Sequence, residues 1–64
     1  MDNEIIELLE TIEEQLSNAA EDSVKFVQGN NSAGTRVRKC MQNIKSLAQR
    51  VRVEVQEQKH AIVA

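Results

Sequence analysis

The chain has 64 residues, a formal net charge of −2, 41% apolar residues, one cysteine and one aromatic residue, Phe26. A chain this short forms one domain at most, buries only about 60% of its unfolded surface and is marginal alone. Cys40 cannot form an internal disulfide, Cys40 and His60 cannot make a metal site, and no run reaches the roughly 20 apolar residues of a membrane span.

Oligomerisation is the remaining remedy for so small a core. The acidic N-terminus, with no apolar stretch behind it, does not read as a signal peptide. The free Cys40 fits a reducing cytoplasm. No nucleophile–base pair, Gly-rich phosphate loop or cofactor motif occurs, so neither an enzyme nor a bound cofactor is expected.

The first run reads as a helix over about 3–28. Asp2 or Asn3 can cap it, and Glu4 and Glu7 favour the positive end of its dipole. Ile5, Leu9, Ile12, Leu16, Ala19, Ser23 and Phe26 alternate spacings of four and three, the seam of a heptad pattern. Ile6, Leu8, Ala20 and Val27 widen that seam to a bundle-type face. Glu7, Glu14 and Glu21 recur every seven residues opposite it and read as a solvated surface.

The run ends at the place where the chain can turn back, about 29–32. Gly29 can take positive φ without steric cost, as suits the residue just past a helix end. Asn30, Asn31 or Ser32 can cap the helix that follows. Charge changes sign here. Residues 1–31 hold eight acids and one base, for −7, and residues 32–64 hold seven bases and two acids, for +5. Such asymmetry fits a nucleic-acid surface, or two helices that attract each other.

The second run reads as a helix over about 33–60. Val37, Met41, Ile44, Ala48, Val51 and Val55 repeat the four-three spacing, with Cys40 and Leu47 beside them. Val51, Val53 and Val55 alternate like a strand but lie inside the longer helical period. Cys40 reads as a buried, inert thiol, and His60 as a favourable contact with the helix C-terminus. Arg38, Lys45, Arg52 and Lys59 recur every seven residues, a row of about 31 Å at 1.5 Å per residue. Gln42, Gln49 and Gln56 keep the same period. Duplex DNA carries one charge per roughly 1.7 Å of axis, so such a row could meet several phosphates. The same row could instead pair with acids of a neighbouring helix.

The segment Gly29-Asn30, Ala33-Gly34-Thr35-Arg36 and Arg38-Lys39 resembles the stretch after the first helix of bacterial linker-histone-like DNA-binding proteins. Leu8-Leu9-Glu10-Thr11-Ile12-Glu13-Glu14-Gln15-Leu16 is similar to their first helix, and the likeness runs on weakly through Ile44-Lys45 towards Lys59. The chain differs in having Asn31 where the family tends to Lys, and in lacking the family's Lys-rich tail; both differences lower the positive charge. The resemblance implies a histone-like, nucleoid-associated cytoplasmic protein that binds duplex DNA non-specifically.

Together these readings predict an all-α fold, an antiparallel two-helix hairpin that pairs into a four-helix bundle homodimer. The expected oligomer interface is Leu9, Ile12, Leu16, Val37, Met41, Ile44, Ala48 and Val51. The expected DNA-binding residues are Arg38, Lys45, Arg52 and Lys59, with Arg36 and Lys39 assisting. The alternative is a structural helical oligomerisation module without nucleic-acid binding.

Overall fold

The computed structural model of the protein describes the backbone of residues 3–63 and the side chains of residues 3–60. Two helices, α1 (Glu4–Val27) and α2 (Asn31–Val63), fold back on each other as a hairpin. The second helix starts two residues earlier than the turn chemistry suggested and runs beyond residue 60. The slab measures 54 × 20 × 11 Å. Its thinnest dimension is one helix diameter, so the hairpin is a single layer.

Asn3 opens α1: its Oδ1 accepts the Ile5 amide at 2.8 Å, and its carbonyl accepts the Glu7 amide at 3.0 Å. Asp2, the other candidate cap, lies outside the described residues. Gly29 has φ +107° and ends α1. The Gly29 amide donates to the Phe26 carbonyl at 2.9 Å and the Asn30 amide to the Lys25 carbonyl at 3.0 Å. That pair of bonds is a Schellman motif, which satisfies carbonyls the helix end would leave free. Asn30 then starts α2, its Oδ1 accepting the Ala33 amide at 3.2 Å. Two adjacent residues thus close one helix and open the next.

Leu8 and Ala19 of α1 and Ala33 and Cys40 of α2 are buried between the helices. Half-buried Ile5, Ile12, Val37, Ile44, Leu47 and Val51 complete that seam. It is not wholly apolar. Half-buried Gln15 and Asp22 occupy α1 positions on it, as do Glu54 and Gln58 on α2. Cys40 donates its thiol proton to the Gln15 carbonyl, with Sγ 3.0 Å from the oxygen and 3.3 Å from Gln15 Oε1. Asn3 Nδ2 donates to Gln58 Oε1 at 3.3 Å and ties the open end of the hairpin.

The seam is rotated by one residue from the track Leu9–Leu16–Met41–Ala48. Those four side chains are exposed, whereas Leu8, Cys40 and Leu47 face the opposite helix. Phe26 stays half exposed, its ring lying against Gly34.

Candidate nucleic-acid interface

Helical geometry fixes where the charges stand. On α2 the seam residues Val37, Ile44, Val51 and Gln58 recur every seven positions. Arg38, Lys45, Arg52 and Lys59 each follow one of them, about 100° further round the axis. They therefore line the outer flank of α2, and all four are exposed. Gln42, Gln49 and Gln56 form the adjacent row on the side directly away from α1. Lys39 is exposed on the far shoulder of that outer surface.

Arg36 and Arg50 each precede a seam residue, so they fall on the opposite side. There they meet acids of α1. Arg36 Nε lies 3.0 Å from Asp22 Oδ1, and Arg50 Nη2 lies 3.1 Å from Glu4 Oε1. These are the ion pairs among the described residues, and neither uses the seven-residue row. Arg36, expected to assist the row from a different face of α2, is paired there with Asp22. The signal that locates such pairs is register: Arg36 and Arg50 are fourteen residues apart, four helical turns on one side of α2.

The acids mirror the bases. Glu7, Glu14 and Glu21 are exposed on the outer side of α1. The hairpin therefore carries negative charge on one long edge and positive charge on the other. Near the turn, Ser23, Phe26, Gly34, Val37 and Arg38 line a shallow apolar depression on the side away from the ion pairs. No cluster of His, Cys, Asp and Glu able to hold a metal ion occurs among the described residues, and no described helix is long and apolar enough to cross a membrane.

Residues 6–61 match the family described as Histone H1-like protein Hc1. The chain belongs to that family. The matched span takes in almost all of α1, the turn and almost all of α2. The family is a histone-like DNA-binding one of the nucleoid rather than a class of enzymes. No curated protein and no solved structure matches the chain.

Of the interface residues expected from sequence, Ile12, Val37, Ile44 and Val51 are half-buried in the hairpin's own seam. Leu9, Leu16, Met41 and Ala48 are left on the surface.

Proposed function

We propose that this histone H1-like protein binds duplex DNA without sequence preference, as a nucleoid-associated protein, by laying the outer flank of α2 along the phosphate backbone. One observation carries the reading: Arg38, Lys45, Arg52 and Lys59 stand in one exposed row, and none is consumed by the ion pairs that hold Arg36 and Arg50. A row of about 31 Å offers charge at a spacing that several phosphates can meet. Gln42, Gln49 and Gln56 add neutral hydrogen-bond donors along the same flank. Lys39 assists from the far shoulder, and Arg36 only where it exchanges Asp22 for a phosphate.

Contacts of this kind carry no base information. With three or four phosphates met per hairpin, log K falls with log salt at a slope of about −3 to −4. The acidic edge of α1 weakens binding, but at physiological salt its repulsion is screened beyond about 8 Å. Self-association is part of the reading, because a single-layer hairpin leaves apolar side chains uncovered.

A second reading, an oligomerisation module whose charges only join helices, is favoured by the Arg36–Asp22 and Arg50–Glu4 pairs. A titration of duplex DNA at two salt concentrations, with wild type and the Arg38→Gln/Arg52→Gln variant, separates the two. The DNA-binding reading expects the variant to bind all sequences more weakly, with a slope flatter by about 2. No wild-type binding at low salt, or equal binding by both proteins, moves the protein to the second reading.

A further inference from the structure

We infer that a second copy of the chain covers the face bearing Leu9, Leu16, Met41 and Ala48, with each α1 lying against the partner's α2. The inference rests on the self-association in the reading above and not on DNA binding.

The face is a property of helix geometry. Leu9 follows the seam residue Leu8, and Leu16 follows Gln15. Met41 follows Cys40, and Ala48 follows Leu47. In an antiparallel pair of right-handed helices, the same rotational step from the seam reaches the same face on both helices. The four side chains therefore share one face, and the two ion pairs close the other. Leu9 is 45% exposed, Leu16 50% and Met41 42%. The closed face carries the ion-paired Glu4, Asp22, Arg36 and Arg50, so the open face with Leu9, Leu16, Met41 and Ala48 is the more apolar of the two. No large side chain among the described residues is fully buried. A layer 11 Å thick needs a second layer to enclose a core.

The chain supplies that layer to itself. A two-fold axis parallel to the helices sets each α1 opposite the partner's α2 at the same height. Leu16 then meets the partner's Met41, and Leu9 lies beside the partner's Ala48. Bulky side chains thus meet at mid-height, and the Phe26 ring lying over Gly34 stands at the turn end. The rims choose between this arrangement and its rival. The rim beside the face on α2 is Arg38, Lys45, Arg52 and Lys59; on α1 it is Ile6, Glu13, Ala20 and Val27. Setting α2 against the partner's α2 brings two rows of four bases together, a like-charge conflict at the flanking positions that select helix partners. Setting α1 against the partner's α2 puts Glu13 within reach of the partner's Lys45 and adds Ile6 and Ala20 to the covered surface. The result is a four-helix bundle with one basic row on each of two opposite edges.

Sedimentation without DNA, and thiol crosslinking in a Cys40→Ser background, test this. On one chain Glu13 and Lys45 occupy opposite outer edges, so cysteines at both cannot join within a hairpin. The expected results are a dimer, weakened more than about tenfold by Leu16→Glu with helicity retained because position 16 is exposed in the single hairpin. Glu13→Cys/Lys45→Cys forms disulfide-linked dimers, and neither single variant does. A wild-type monomer at all concentrations overturns self-association and the inference together. A dimer in which Lys45→Cys alone crosslinks to itself overturns the arrangement while leaving self-association standing.

Discussion

Phe26 lies across Gly34, its Cδ1 only 2.6 Å and its Cε1 2.7 Å from where a Cβ on Gly34 would stand. Glycine inside a helix is normally about 1 kcal/mol less favourable than alanine. Here it gives the ring a place to rest where the helices meet the turn. We expect Gly34→Ala to displace the ring and recover little of that 1 kcal/mol. In a Phe26→Ala background the same substitution is expected to stabilise by about 1 kcal/mol, as nothing then opposes the methyl. Thermal melts of the four proteins in the cycle measure the coupling; additive effects would remove the ring contact from the account.

The turn depends on backbone conformation rather than on crowding. A Cβ on Gly29 would meet nothing within 4 Å, yet its φ of +107° is one that side chains rarely adopt. Gly29→Ala is therefore expected to cost on the order of 1 kcal/mol. Asn30→Ala is expected to cost about 0.5–2 kcal/mol through loss of the cap on Ala33. Chemical denaturation of each variant checks both values.

Leu8 and Leu9 are neighbours of the same chemistry with different fates. Leu8 is 5% exposed in the seam, whereas Leu9 is uncovered in the single hairpin. Leu8→Ala is expected to destabilise the hairpin by about 2–5 kcal/mol, the range for emptying a packed leucine site. Leu9→Ala is expected to act mainly on association, so its effect grows with protein concentration. Melts across a dilution series distinguish the two.

The bases divide into two classes that salt titration can separate. Arg36→Gln and Arg50→Gln each remove an ion pair at the surface, which is worth at most about 1 kcal/mol of stability. They are expected to leave the salt slope of DNA binding nearly unchanged. Arg52→Gln removes no ion pair and is expected to flatten that slope by about 0.9 without changing the melt. Equal slopes for all three variants would merge the classes.

Both helices and their junction were legible because strong signals agreed. Apolar period, glycine and the short polar residues after it all placed the turn at about 29–32, and the structure picks Asn30 from the three candidate caps. Rotation of the seam was harder to read. At Leu8-Leu9, Cys40-Met41 and Leu47-Ala48 the chain has adjacent apolar residues, so tracks one residue apart score alike. Gln15 and Asp22 also stand on the track that faces inward. Their positions make sense only with their partners: the Cys40 thiol for one, Arg36 for the other. The contact between Phe26 and Gly34 joins residues on different helices and needs the finished turn to bring them together. The basic row was visible because a seven-residue period survives any rotation of the seam. The pairing of Arg36 with Asp22 was not, since it depends on the register of α1 against α2.

Placing the acids on one long edge and the bases on the other makes the hairpin an electric dipole across its width. Near a polyanion such a body feels a torque before it feels any net pull, and the torque turns α2 inward. Screening confines it to about the last 8 Å of approach at physiological salt. Within that shell a protein of net charge −2 can still arrive with its productive side leading, so its encounter rate should follow the separation of its charges and not their sum.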